Sequence, residues 1–317
     1  MNRNIVIKPF FPVYGRFVLM IMVMFLTGLG CAASGLMNDG IGCMKRWDTD
    51  GAIAAFTRAA ELEPDNPRIY YHRGNAWSIK QEFDKALEDY NRALELDPEY
   101  ASAYISRGVV WTQQGETDKG IADFSAAIKE DPGDGRIYML RGKLYKQKEE
   151  LDKALSDLNR AIENTAEAPA AMFHNRGLVY QKMGKTNHAL SDFRRASERS
   201  PRYTAAYLAR SRLLLEEKRY NEALEECSQV LRIFPLAVEA IRLRGDICLA
   251  TGDYELAIWN YSQAIDLDDQ PAVYRKRGRA YIKTGQTEKA CADFARACRE
   301  IDCTGEDFSE WRKDNCP

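Results

Sequence analysis

The stretches PRIYYHRGNAWSIKQEFDKALEDYNRALELDPEY (residues 67–100) and ASAYISRGVVWTQQGETDKGIADFSAAIKEDPGD (residues 101–134) align without a gap. Tyr70 falls on Tyr104, Arg73 on Arg107, Gly74 on Gly108, Asp89 on Asp123, Tyr90 on Phe124, Ala93 on Ala127 and Pro98 on Pro132. Further along, the glycine returns as Gly142, Gly177, Gly245 and Gly278, at intervals of 34, 35, 68 and 33 residues, with Ser211 in the skipped place. A period of this length marks a small supersecondary unit that stacks on copies of itself, so the 317 residues need not divide into independent domains.

The recurring residue types say what the unit is. Twelve residues after the glycine place comes a small residue: Ala86, Gly120, Ala154, Ala189, Ala223, Ala257 and Ala290. Four further on stands a larger one: Tyr90, Phe124, Leu158, Phe193, Cys227, Tyr261 and Phe294. Small residues on facing helices let two backbones approach closely, and the larger side chain fills the space beside that contact. Turns such as Gln114-Gly115-Glu116 and Thr251-Gly252-Asp253 separate the two helices, and Pro98, Pro132, Pro201 and Pro235 close the second one. The pattern resembles the tetratricopeptide repeat (TPR). The resemblance covers eight units, 33–66, 67–100, 101–134, 135–169, 170–203, 204–237, 238–270 and 271–304; Gly40, Ala52, Phe56, Ala59 and Pro64 mark the first. It implies an all-α, right-handed superhelical solenoid of helix-turn-helix units. Residues 305–317 are then expected to form a capping tail, with Phe308 and Trp311 over the last apolar edge.

A second series runs through the same frame. Arg73, Arg107, Arg141, Arg176, Arg210, Arg244 and Arg277 hold the seventh position, while the twenty-third holds Asp89, Asp123, Asp157, Asp192, Glu226, Asn260 and Asp293. The first unit has Asp39 and Ala55 at these places, so both partners are lost together. This covariation points to an ion pair between the two helices of a hairpin, rather than to a ladder of cations for a polyanion.

In tetratricopeptide folds the first helix of each unit lines a concave groove, and the resemblance implies that positions 2, 5, 9 and 12 face it. Those positions hold Arg68, Arg136, Lys143, Lys146, Arg212, Arg242, Arg275 and Arg279 against two acids, Glu239 and Asp246. Tyr71, Met139, His174, Leu178, Leu215, Leu249 and Ile282 lie between them. A mixed apolar and basic surface suits a protein or peptide partner with acidic residues more than a small metabolite. No three successive units carry the lysine and asparagine set of the carboxylate clamp found in relatives that capture chaperone C-termini.

The chain as a whole is weakly acidic, with a net charge of −2, which gives no general pull toward nucleic acid. The first 30 residues differ from the rest: Arg3, Lys8 and Arg16 are their only charges, and an apolar run begins at Phe17. This reads as a signal peptide or signal anchor, and Thr27-Gly28-Leu29-Gly30-Cys31 resembles a bacterial lipobox with Cys31 as the lipidation site. Lipidation, cleavage near Ala33 and a retained anchor all place the repeats outside the cytoplasm, in a periplasm-facing envelope location with membrane attachment. In such a compartment Cys291, Cys298, Cys303 and Cys316 are expected to form two disulfides, with three connectivities open. The cysteines have no C-x-x-C pair and no nearby histidine, so neither a metal nor a cofactor is expected. No nucleophile elbow, phosphate-binding glycine loop or metalloprotease histidine pair occurs. The expected function is therefore a non-catalytic protein-interaction scaffold. The alternatives are a self-associating structural array and the substrate-recognition subunit of an enzyme on another chain.

Overall fold

The computed structural model describes residues 32–298 and Cys316. The proposed signal segment, Cys31, Cys303 and most of the proposed capping tail lie outside the described residues. Every regular element described is an α-helix. The chain forms two compact units, Met1–Leu144 and Tyr145–Pro317.

In the first unit α1 (residues 32–45) and α2 (Thr49–Leu62) make one hairpin. The next two are α3 (Pro67–Ile79) with α4 (Phe83–Leu96), and α5 (Ala101–Gln113) with α6 (Thr117–Glu130), followed by α7 (Gly135–Gln147). In the second unit the order continues with α8 (Leu151–Glu163), α9 (Ala170–Lys182) and α10 (Thr186–Arg199). It ends with α11 (Thr204–Glu216), α12 (Tyr220–Ile233), α13 (Val238–Thr251), α14 (Tyr254–Leu267), α15 (Pro271–Lys283) and α16 (Thr287–Ala297). Within the first unit consecutive helices from α2 to α6 pack together, and within the second those from α8 to α16; the first helices of successive hairpins also touch: α3 meets α5, α9 meets α11, α11 meets α13, and α13 meets α15.

Local chemistry sets the helix ends. Asn66 caps α3 by accepting from the Arg68 backbone N–H at 3.1 Å, and Pro67 stands at the first helical position, where no amide partner is required. Between the two helices of each hairpin one residue adopts a positive φ. Gly115, Gly184, Gly252 and Gly285 fill this place in four hairpins, and Trp47, Gln81, Glu149 and Lys218 fill it in the other four. The left-handed region is free to glycine and strained for the others.

The core is a series of ring-on-glycine contacts. A Cβ added at Gly74 would lie 2.7 Å from the Tyr90 ring, at Gly177 2.7 Å from Phe193, at Gly245 2.7 Å from Tyr261 and at Gly278 2.5 Å from Phe294. These rings are almost fully buried. The hairpin of α11 and α12 departs from this pattern at both places. Ser211 replaces the glycine and Cys227 the ring, and the Ser211 hydroxyl donates to the Ala223 carbonyl at 2.8 Å while lying 3.2 Å from Cys227 Sγ. The space an aromatic ring would take is thus filled by a hydroxyl and a thiol that satisfy each other.

Gly245→Ala is therefore expected to lower stability by about 1–3 kcal/mol through overpacking. Cys227→Phe alone should cost a similar amount, and adding Ser211→Gly should recover most of it, giving a coupling visible in a double-mutant cycle by urea unfolding.

Candidate partner-binding site

The arginine series is architectural. Arg107 donates from Nε to Asp123 Oδ2 at 2.8 Å and from Nη2 to Oδ1 at 2.7 Å, and Arg73–Asp89, Arg176–Asp192 and Arg277–Asp293 repeat this two-pronged geometry. In the variant hairpins Arg210 pairs with Glu226, and Arg244 donates to the Asn260 side chain. The remaining nitrogen, Nη1, crosses to the preceding hairpin: Arg107 reaches Asn91 at 2.6 Å, and Arg73, Arg141, Arg176 and Arg277 reach Thr57, Ser125, Asn159 and Ser262. Arg73, Arg107, Arg176 and Arg277 thus tie their own hairpins together and fix the register of the one before. Occupied in this way, these four arginines offer little to a ligand.

The first-helix faces hold the remaining sequence candidates. In the first unit Arg68 is exposed and Tyr71 is half-buried, with its ring 5.0 Å from that of Tyr100. Arg136 folds back onto Asp134, the residue preceding α7, at 2.7 Å, so its charge is spent locally. Met139 is half-buried beside it in sequence, and Lys143 is exposed.

In the second unit Arg212, Leu215, Glu216, Glu239, Arg242, Leu243, Asp246 and Lys276 line one recess of about 290 Å³, with three cations set against three carboxylates. Arg212 pairs with Glu239, and Lys276 with Asp246 at 2.7 Å. Arg242 donates instead to the neutral Gln270 side chain at 3.0 Å, so its charge is not cancelled there. Lys146, His174 and Arg275 are half-buried, and Arg279 is exposed one turn beyond Arg275. His174 is a packed residue: its ring meets those of Phe193 and Tyr203, and the Tyr203 hydroxyl lies 3.3 Å from Nδ1. Burial, and then the positive charge of Lys146, pushes its pKa down to about 4.

Tetratricopeptide repeat models match residues 67–100, 135–167, 174–238 and 272–300, and a TPR repeat model matches 45–77 and 245–285. Together these spans make up more than half of the chain. It is a tetratricopeptide repeat protein. Tetratricopeptide repeat protein 12 of Mus musculus is 38% identical over 69 residues, 21% of this chain, and the match spans only 10% of that relative's length. A tetratricopeptide repeat protein from Parabacteroides merdae superposes with a TM-score of 0.61 at 19% identity, covering 78% of this chain and 98% of that one, a likeness of fold. YrrB, described as a TPR protein with an unusual peptide-binding site, superposes with a TM-score of 0.50 at 26% identity, covering 59% of this chain and 96% of that one.

In this TPR frame, sequence reasoning missed Lys276, which stands at the sixth position of its unit and enters the recess by bonding Asp246 across two hairpins. It also missed Tyr100 and Tyr203, the residues immediately before α5 and α11, whose rings cover Tyr71 and His174. Their shared place at the close of a unit was the available signal. Cys291 is joined to Cys316, and Cys298 is also disulfide-bonded. Cys43, Cys227 and Cys248 are free thiols, the last two buried.

Arg107→Ala is expected to cost about 3–5 kcal/mol in urea unfolding, because it strands the buried Asp123 carboxylate. His174 supplies a pH test. Its folded-state pKa of about 4 lies below its ordinary 6.5, so the unfolded chain binds the extra proton in that window and stability falls as pH drops through it. His174→Leu, which copies Leu208 in the next unit, should shrink the fall in Tm between pH 7 and pH 5.

Proposed function

We propose that this chain is a non-catalytic scaffold of the bacterial cell envelope that grips an extended partner segment bearing acidic residues on its first-helix face. The observation that carries this reading is the recess at Arg212, Arg242 and Lys276. Two of its cations are held in place by Glu239 and Asp246, while Arg242 is bonded to the neutral Gln270 side chain and Glu216 is the third carboxylate of the lining. Leu215 and Leu243 give the same recess an apolar floor, and Arg275 and Arg279 continue the basic surface along α15. An extended peptide meets such a surface with main-chain groups at the paired charges and an acidic side chain at Arg242. The peptide-binding site ascribed to YrrB supports the same use of a similar fold. The apolar run from Phe17 and the lipobox-like sequence ending at Cys31 support export and attachment by lipid or anchor.

A second reading rests on a separate observation. Leu236, Trp259 and Leu267 are 69%, 50% and 42% exposed and rim a recess of about 470 Å³, a surface on which copies of the chain could pack. Self-association through it would show as a mass that rises with concentration in sedimentation and falls back in Trp259→Glu.

For the leading reading, the test is binding of arrayed acidic and basic peptides to the full chain, together with affinity capture from native membranes and mass spectrometry of its N-terminal peptide. Acidic peptides should be retained, and Arg275→Glu with Arg279→Glu should weaken retention roughly tenfold or more with helicity unchanged. Undiminished retention after that reversal would remove the basis for the groove. An N-terminal peptide that begins at Met1 with no lipid and partitions with soluble protein would remove the envelope assignment.

A further inference from the structure

The crossing bond made by the arginine series needs an acceptor at the twenty-fifth position of the preceding unit. Thr57, Asn91, Ser125, Asn159, Ser228 and Ser262 are neutral residues able to accept. The remaining unit has Arg194 there, facing Arg210. A guanidinium accepts no hydrogen bond, so the Nη1 of Arg210 finds no acceptor among the described residues. Arg194, exposed on α10, likewise has no side-chain hydrogen bond or ion pair among them.

The carboxylate opposite Arg210 is also altered. Glu226, one methylene longer than aspartate, meets Arg210 through Oε1 alone, and its Oε2 is buried without a partner. The two-pronged contact of the other hairpins is therefore half made, and the Nε of Arg210 is uncommitted. Arg219, the third guanidinium nearby, is clamped by Glu222 through two bonds of 2.7 Å. Arg194, Arg210, Arg219, Glu222 and Glu226 line a recess of about 410 Å³, large enough for a small ligand.

We propose that this recess, between α10, α11 and α12, is a binding site for a phosphate group, held by Arg194 and Arg210. Two like charges brought into one recess with uncommitted N–H donors offer an anion two forks at once, and an anion between them offsets their repulsion. A carboxylate has two oxygens and is satisfied by one guanidinium fork, as Asp123 is by Arg107. Phosphate, with its tetrahedral set of oxygens, accepts from both forks at once. The site lies on the second-helix side of the hairpins, apart from the first-helix recess, so it stands whether or not a peptide binds there.

The test is calorimetric titration of the full chain at low ionic strength with inorganic phosphate and, separately, with glycerol 3-phosphate. Saturable binding to a single site is expected. Tighter binding of the ester identifies a phosphorylated metabolite as the ligand class, and equal binding identifies free phosphate. Arg194→Ser restores the residue type found at Ser228 and Ser262, and should weaken binding roughly tenfold or more while leaving the phosphate-free Tm unchanged or raised. Arg199→Ser, on the same helix, should bind as the parent does. Absence of saturable binding by the parent chain overturns the proposal, as does equal loss in both variants. A lowered Tm in Arg194→Ser would show Arg194 to be a structural partner and overturns it as well.

Discussion

The close approach of the two helices in a hairpin, in most of them with an aromatic ring packed against a residue that has no side chain, is the constraint on which the rest of this protein depends. It sets the distance between helices, and that distance brings the arginine of the first helix within two bonds of the carboxylate on the second. If the hairpin were wider, the ion pair would not form with this geometry, and the third guanidinium nitrogen would not reach the hairpin before. Hydrophobic contact therefore sets the spacing, and the polar network reads out that spacing as register. Each buried ion pair contributes modestly to net stability, since desolvation offsets most of the attraction. Its effect is to penalise any slipped arrangement that would leave a carboxylate alone.

Much of this was legible from the sequence because each requirement is local and repeated. Gly74, Gly108, Gly177, Gly245 and Gly278 recur because nothing larger fits against the ring, and the arginine recurs with an acceptor opposite it, a carboxylate in six units and Asn260 in one. The pair Ser211 and Cys227 shows the same rule through its exception, since the two places changed at once. What could not be read were the contacts between one hairpin and the next on the first-helix face. Arg212 with Glu239 and Lys276 with Asp246 join positions 27 to 30 residues apart, and they occur once each, so no periodic signal announces them. The count of basic residues along that face therefore overstated its charge. Arg136 and Arg212 spend theirs on nearby acids. Arg194 was visible as a letter, but its meaning required knowing that the arginine of the following unit reaches back to that place.

The two faces of the second unit thus carry different kinds of chemistry. On the first-helix side the charged groups Arg212 with Glu239 and Lys276 with Asp246 are arranged in opposed pairs beside Leu215 and Leu243. On the second-helix side the pairing rule is broken at one hairpin, and the result is a concentrated excess of donors.

The positive-φ residue between the helices of every hairpin has a consequence of its own. Where Trp47, Gln81, Glu149 and Lys218 occupy it, the backbone is held in a region that costs an L-residue roughly 1–2 kcal/mol, yet the turn keeps the form it has at Gly115 or Gly252. The turn therefore follows the helices and does not direct them: packing brings the two ends together, and the connecting residue takes whatever conformation spans the gap. Continuity of the chain at these points is dispensable to the architecture. The array could carry an inserted sequence at Gln81 without loss of the hairpin, because what holds α3 on α4 is the Tyr90 ring on Gly74 and not the peptide that joins the two arms.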